Sequence, residues 1–255
     1  MNSPFFRIFA ASILRDMRTR FGRSYYSYLL AILWPLSHIS IICGVYYMTS
    51  KYVPIGDDPA IFVVTGVVPF IFCLYPARFM ALTIAQNKPL LQFSIIKPLH
   101  LIFARSVLET LSAATVFFVF ATMLTLGNID IMPENIYRAA LVIAVTIFLG
   151  LGMGSFGVVL GLVHPMVGVT VVVLVISLLY VTSGAFVSYN LFPENVRDVI
   201  WFNPLYHCVS ILRSAYYEGF DADECSVYYV FFIGGIFWLV YLLGDRVYRG
   251  KLLGT

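Results

Sequence analysis

The sequence predicts an all-α polytopic membrane protein. Of its 255 residues, 60% are hydrophobic and only 11% are charged, and the mean hydropathy is +0.89. Soluble domains carry about 25% charged residues, so a soluble fold is excluded. The apolar stretches are long and continuous, as in membrane-spanning helices, whereas a membrane β-barrel shows alternating segments of roughly ten residues. A disordered chain, a collagen-like repeat and a disulfide scaffold are excluded by the same composition and by the presence of only four cysteines.

The distribution of charged residues predicts six membrane spans. No charged residue stands between Arg23 and Lys51, and none occurs in the 55 residues from Ala139 to Pro193. At about 20 residues per crossing, the second stretch holds two helices, which separate at His164–Pro165. The predicted spans are residues 28–48, 60–75, 109–126, 139–163, 166–187 and 226–243.

The basic residues predict the orientation of these spans. Twelve of the sixteen Lys and Arg residues fall in segments on the side of the N-terminus, and ten of the thirteen acidic residues fall on the other side. Because cytoplasmic segments are enriched in Lys and Arg, both termini are predicted to be cytoplasmic. A cleaved signal peptide is not favoured, because the first apolar run starts near residue 28 and no A-x-A-like site follows it.

Residues 4–23 predict an amphipathic helix at the membrane interface. Four apolar residues of this segment recur at helical spacing, whereas the arginines fall outside that stripe. The apolar stripe consists of Phe6, Phe9, Ile13 and Met17. Two interpretations remain open: the arginines act as a topology signal, or Arg15, Arg18 and Arg20 contact an anionic lipid or the anionic headgroup of a substrate.

The segment of residues 85–100, between the second and third spans, differs from a solvent loop. Lys88–Pro89 and Lys97–Pro98 bracket the apolar residues 90–96. Because proline disfavours helix in the residue before it, each step is predicted to mark a helix boundary. These two boundaries predict a short helix at the cytoplasmic surface of the membrane. Its apolar side chains pack either on a soluble subunit or on the protein's own bundle.

Residues 188–225 form the longest segment on the opposite side. The segment is too apolar for a free loop, and Pro193 and Pro204 interrupt it too often for a span. It therefore predicts short re-entrant helices on the periplasmic side, before the last span. Cys208 and Cys225 both lie in it, which leaves a disulfide open.

The motifs of common enzyme sites do not carry chemistry in this chain. A G-x-G-x-x-G match at residues 152–157 lies inside a predicted span without a preceding strand, so it does not indicate a dinucleotide site. Small residues in this region are expected to allow close helix packing, namely Gly150, Gly154, Gly157 and Gly161. The chain has no P-loop and no metal-ligand spacing. Glu109 is the only acidic residue in a predicted span, and pairing with Arg105 four residues earlier is expected. A source of energy outside this chain is therefore predicted.

Three segments give the chain a family resemblance. The run RDMRTRFG at residues 15–22 is followed by YLLAILWPLSH at residues 28–38, and NKPLL at residues 87–91 is followed by Lys97–Pro98. WFNPLYH at residues 201–207 has Arg213 downstream. Together these segments resemble type-2 ABC export permeases, and more narrowly those that export capsular polysaccharide or O-antigen in Gram-negative bacteria.

The resemblance implies a homodimeric permease in the bacterial inner membrane, bound to two copies of a separate ATPase. ATP and Mg would bind to that ATPase and no cofactor to this chain. Further partners would be periplasmic and outer-membrane export proteins, and none would be a nucleic acid. The ATPase would dock on the N-terminal helix and on the segment of residues 85–100, which we call the coupling segment. Those residues are Gln86, Asn87, Lys88, Leu90, Leu91, Lys97 and Pro98.

The expected function is export of a lipid-linked acidic polysaccharide, most specifically a capsular one. The candidate residues of the substrate path are Arg15, Arg18, Arg20, Tyr28, Trp34, His38, Tyr206, His207 and Arg213. O-antigen, teichoic acid or a small drug are alternative substrates of the same architecture. A membrane-embedded glycosyl- or acyltransferase is the alternative outside transport; it would carry buried carboxylates or a His–Asp pair facing one leaflet.

Overall fold

The computed structural model describes residues 4–21, 25–49, 53–56, 58–93, 95–162, 164–187 and 193–253. Within these ranges the regular elements are all helices, as predicted. The α-helices are α1 (Pro4–Phe21), α2 (Tyr25–Thr49), α3 (Pro59–Ala81), α4 (Thr83–Gln86), α5 (Pro98–Leu126), α6 (Ile136–Leu160), α7 (Pro165–Val181), α8 (Glu194–Trp201), α9 (Pro204–Tyr216) and α10 (Val227–Leu253). A 3-10 helix, Lys88–Gln92, follows α4.

Five of the described helices are long and apolar enough to cross a membrane, namely α2, α3, α5, α6 and α10. α7 is a sixth apolar helix, and its 17 residues place it at the lower end of the length that a crossing needs. The prediction of an all-α polytopic membrane protein is confirmed. The short helices α8 and α9 lie in the segment that was predicted to hold re-entrant elements.

Four helix ends differ from the predicted spans by more than five residues. α3 ends at Ala81 rather than at residue 75, and α10 ends at Leu253 rather than at residue 243.

α5 begins at Pro98 rather than at residue 109. Pro98 occupies the first helical position, where a backbone N–H has no partner within the helix, so proline loses no hydrogen bond there. Arg105 and Glu109 therefore lie inside one continuous helix. α7 ends at Val181 rather than at residue 187, because the chain turns away through Gly184, whose φ of +77° is the left-handed conformation that favours glycine.

The core of the bundle is built around α6, which packs between α3 and α10. A methyl group added at Gly150 would lie 2.6 Å from the carbonyl oxygen of Cys73 on α3. On the opposite side of α6, a methyl group at Gly152 would lie 2.7 Å from the carbonyl oxygen of Gly234 on α10. The prediction of close helix packing is confirmed for Gly150, and also for Gly154, where an added methyl group would lie 2.7 Å from the carbonyl oxygen of Ala77. Gly152 is a further close approach that the sequence analysis did not single out.

The two ends of the bundle differ in charge. We call the end at which α3 finishes and α5 begins the basic end, and the opposite one the acidic end. Among the described side chains at the basic end, those that are both exposed and charged are Arg7, Arg18, Lys88, Lys97 and Arg246. Exposed carboxylates at the acidic end belong to Asp130, Glu134, Glu194, Asp198, Glu218, Asp221, Asp223 and Glu224.

The close approach of α6 to α3 predicts that Gly150→Ala destabilises the protein. The added methyl group meets backbone atoms of Cys73, which cannot move aside as a side chain can, so we expect a loss of about 1–3 kcal/mol. Thermal unfolding in detergent micelles measures the effect. Gly44→Ala on α2 is the matched control, because nothing lies within 4 Å of its added methyl group. Equal unfolding midpoints for the two variants would contradict the prediction.

Candidate functional site

A buried cluster of charged groups joins three elements at the basic end. Arg105 on α5 lies at its centre: its Nη1 is 3.6 Å from Oδ2 of Asp16 on α1 and 3.6 Å from Oε1 of Glu109. Its Nη2 donates a hydrogen bond to Oε1 of Gln86 at the end of α4. The pairing of Arg105 with Glu109 is therefore confirmed. Asp16, which the sequence analysis did not single out, is a second carboxylate for the same guanidinium.

Arg15 extends this cluster to the coupling segment. Its Nη2 lies 2.5 Å from Oδ1 of Asp16 and also donates to Oδ1 of Asn87. Asn87 is buried, and its amide nitrogen donates to the carbonyl oxygen of Thr83 at 2.8 Å. We call Arg15, Asp16, Gln86, Asn87, Arg105 and Glu109 the basic-end cluster. It ties the N-terminal helix, the coupling segment and α5 together through polar contacts.

The three arginines predicted to meet an anionic headgroup do not share one environment. Arg15 is about one-third exposed and belongs to the basic-end cluster. Arg18, one turn later on α1, is exposed. The side chain of Arg20 lies outside the described residues. In this structure, Arg18 is therefore the described arginine of the three whose side chain faces solvent or lipid.

The residues predicted to contact an ATPase divide into exposed and buried groups. Gln86, Lys88 and Lys97 are exposed, and Leu90 and Pro98 are partly exposed. Asn87 and Leu91 are buried by the protein's own helices. The predicted short helix in this segment is the 3-10 helix Lys88–Gln92, which starts at the first of the two Lys–Pro steps rather than after it.

Two large apolar side chains stand out in the same segment. Phe93 and Ile95 are each 61% exposed, and they lie between Lys88 and Lys97 in the sequence. We call these four residues the coupling surface. Beside it, a cavity of about 180 Å³ opens between α4 and the turn that joins α6 to α7. The basic end thus presents apolar groups surrounded by positive charge.

The candidate path residues of α2 lie on its outer face and near its middle. Trp34 is 70% exposed. His38, one turn later, is partly buried, and its ring centroid lies 5.6 Å from that of Phe70 and 6.0 Å from that of Tyr180. The side chain of Tyr28 lies outside the described residues. The described part of α2 therefore carries an exposed aromatic group beside a histidine in an aromatic environment.

Tyr206 and His207 on α9 are buried in the packing of the acidic end. Both ring nitrogens of His207 have partners: Nε2 donates to the carbonyl oxygen of Trp201 at 2.7 Å, and Nδ1 accepts from the N–H of Ser226 at 3.2 Å. This arrangement requires a neutral ring, because a protonated imidazole has no acceptor. Burial lowers the pKa of His207, which agrees with the neutral form. His207 holds α9 against the start of α10.

Arg213 fixes the other end of α9. Its Nη1 and Nη2 donate to the carbonyl oxygens of Gly184 and Ala185, at 2.8 and 3.1 Å, and its guanidinium lies 4.4 Å from the ring centroid of Phe62. The residue is 2% exposed, and burial lowers its pKa to about 10, which leaves it cationic at neutral pH. Arg213 thereby joins α9 to α3 and to the turn after α7, and its side chain does not reach a surface.

The described residues hold no group of His, Cys, Asp and Glu that could bind a metal ion. The four cysteines are unpaired, so Cys208 and Cys225 do not form a disulfide in this structure. The polar chemistry of the bundle consists of ion pairs, hydrogen bonds and aromatic contacts. Such an arrangement can bind, position and move a partner or a substrate.

Comparison with known proteins identifies relatives of this chain. Two sequences of the polysialic acid transport protein KpsM from Escherichia coli are each 29% identical to this chain over 244 residues. The aligned region covers 94% of this chain and 92% of each relative, so the similarity concerns the whole bundle. This similarity supports the resemblance to type-2 ABC export permeases. No protein-family model matches the chain.

The basic-end cluster predicts that Arg105→Gln destabilises the protein strongly. Removal of the guanidinium leaves the buried Asp16 and Glu109 without the cation between them, and loss of one partner of a buried ion pair costs about 3–5 kcal/mol. Thermal unfolding in detergent micelles measures the loss. Arg7→Gln, at an exposed arginine of α1, is the control and should change stability by no more than about 0.5 kcal/mol. An Arg105 variant as stable as the Arg7 variant would refute this role of the cluster.

Proposed function

We propose that this chain is the permease subunit of an ATP-driven exporter that moves a lipid-linked capsular polysaccharide across the bacterial inner membrane. The similarity to polysialic acid transport proteins over nearly the whole of both chains carries this proposal. Polysialic acid is an acidic polymer, which supports an acidic polysaccharide as the cargo. O-antigen, teichoic acid and small drugs remain the alternatives within the same architecture.

The basic end faces the cytoplasm in this proposal, and both termini lie there. The exposed charges that the structure describes at this end are cationic, and an excess of Lys and Arg is typical of cytoplasmic segments. The acidic end then faces the periplasm, where further export proteins would receive the polymer. Its eight exposed carboxylates carry the same sign of charge as an acidic polymer, which disfavours adhesion of the emerging chain.

A separate ATPase docks on the coupling surface and supplies the energy, with ATP and Mg bound on that subunit. Phe93 and Ile95 are large apolar side chains that a partner would remove from water. Lys88 and Lys97 lie on either side of these residues in the sequence. They would form ion pairs with acidic groups around the ATPase surface that receives Phe93 and Ile95. Leu90 and Pro98 complete the contact, whereas Asn87 and Leu91 support it from within.

The basic-end cluster carries movement of the coupling surface into the bundle. Gln86 and Asn87 precede the coupling surface directly, and they bind Arg105 on α5 and Arg15 on α1. A shift of the coupling segment on ATP binding therefore displaces these two helices with it. The cluster gives Arg15 a positioning role, and Arg18 and Arg20 remain the candidates for the anionic linker of the substrate.

A second copy of the permease packs against the exposed apolar faces of α2 and α7, and the polymer passes along this seam. Both helices carry large apolar side chains that no other described helix covers. On α2 these are Leu30, Trp34, Ile41 and Val45, and on α7 they are Leu174, Leu178 and Val181. Trp34 and His38 lie on or beside this face, as expected of residues that line the path.

Deletion of the gene in its own bacterium tests the function. We expect the capsular polysaccharide to disappear from the cell surface while lipid-linked polymer accumulates inside the cell, and re-expression should restore export. Quantitative staining of intact and permeabilised cells measures both pools. Loss of O-antigen with an intact capsule would indicate the other polymer class. Unchanged surface polysaccharides together with altered drug tolerance would overturn the proposal.

Charge reversal at the coupling surface tests the ATPase contact. The double variant Lys88→Glu, Lys97→Glu places negative charge opposite the expected acidic rim, so we expect affinity for the ATPase to fall at least about tenfold. Binding of the purified permease to the ATPase at low ionic strength measures the effect, and added salt should weaken the wild-type complex. Arg246→Glu, at an exposed arginine of α10, is the control and should bind normally. Equal affinity of all three proteins would contradict the predicted contact.

A further inference from the structure

Several buried polar atoms have no hydrogen-bond partner among the described residues, and two of them belong to neighbouring rings near the middle of the bundle. They are Nε2 of His38 on α2 and the hydroxyl oxygen of Tyr180 on α7. His38 lies near the middle of α2, and Phe70, which contacts both rings, lies at the middle of α3. At this depth lipid chains offer no hydrogen-bonding groups, so the two atoms require another partner.

The surroundings of these atoms are aromatic. The rings of Phe70 and Tyr180 stack with their centroids 3.8 Å apart and their planes 11° from parallel. Phe186 packs on Tyr180 with a centroid distance of 4.8 Å, and the ring of His38 covers the other side of the cluster. The cluster thus combines apolar ring faces with two polar groups. A sugar ring has matching chemistry, because it presents C–H groups on its faces and hydroxyl groups at its edge.

We infer that His38 and Tyr180 form a saccharide-binding site inside the permease. The hydroxyl group of Tyr180 donates to a sugar oxygen, and Nε2 of His38 exchanges a hydrogen bond with a neighbouring sugar hydroxyl. This inference rests on the proposed export of a polysaccharide and adds the residues that hold the sugar in the membrane. Because each passing sugar unit offers similar hydroxyl groups, the pair can exchange partners as the polymer slides.

The position of the pair makes it accessible from the proposed seam. Trp34 and Ile41 flank His38 on α2 and are exposed, as are Leu178 and Val181 beside Tyr180 on α7. Tyr180 itself is only 5% exposed, so binding requires α2 to move away from α7. This movement would break few contacts between the two helices, because α2 packs mainly on α3 rather than on α7.

Tyr180→Phe tests the inference, because it removes only the hydroxyl group. In the substrate-free permease this group is buried without a partner, so its removal should leave the unfolding temperature unchanged or raise it. Export of polysaccharide to the cell surface should nevertheless fall about five- to tenfold, the effect expected for the loss of one hydrogen bond to the substrate. His38→Leu should reduce export to a similar extent.

Tyr217→Phe is the matched control. It makes the same chemical change in a tyrosine that packs against Gly56 at the acidic end, and it should export at the wild-type rate. Normal export by Tyr180→Phe would overturn the saccharide site. The proposed function would still stand in that case, because the wild-type protein would export the polysaccharide. A lower unfolding temperature with proportional loss of export would overturn the saccharide site as well, since the hydroxyl group would then be structural. Absence of polysaccharide export by the wild-type chain would instead defeat the proposed function.

Discussion

The guanidinium of Arg105, held between the carboxylates of Asp16 and Glu109, is the interaction on which the rest of the basic end depends. Burial of any one of these charges alone would be prohibitive, so the three must be brought together, and α1 must lie against α5 for this to happen. Gln86 and Asn87 join the same cluster and thereby fix the coupling segment. Because Asp16 and Glu109 are buried in ion pairs, the described charged side chains that remain exposed at this end are cationic.

The polar groups in the rest of the bundle are of two kinds. On α9, both ring nitrogens of His207 and the two terminal nitrogens of Arg213 bind within the protein and hold the short helix in place. Nε2 of His38 and the hydroxyl group of Tyr180 lack such partners among the described residues. A polar group whose hydrogen bonds are made within the protein stabilises the substrate-free structure. A polar group without such partners can bind a saccharide, as proposed for His38 and Tyr180. This distinction separates the residues that hold the bundle together from those of the proposed substrate path.

The sequence predicted the features that depend on local chemistry. Charge spacing located the apolar helices, the Lys–Pro steps marked helix starts, and glycine spacing indicated the close packing of α6. Features that depend on tertiary contacts escaped it. The predicted third span starts at residue 109, although Lys97–Pro98 is predicted to mark a helix boundary. The reason is that a charged residue normally ends a span, whereas Arg105 is paired with residues from two other elements. Likewise, no sequence signal distinguishes the buried Arg213 from an exposed arginine, or reveals that the hydroxyl group of Tyr180 has no partner.

The glycines on both faces of α6 have a consequence for movement. With backbone against backbone, α6 has no side chain at Gly150 or Gly152 that could re-pack, so a change of its crossing angle with α3 or α10 would bring main-chain atoms into collision. α7 is held to α6 in the same way, because a methyl group at Gly168 would collide with the carbonyl oxygen of Gly157. α3, α6, α7 and α10 therefore form a rigid centre, and the changes of shape that the proposed transport requires would fall on α1 and α2.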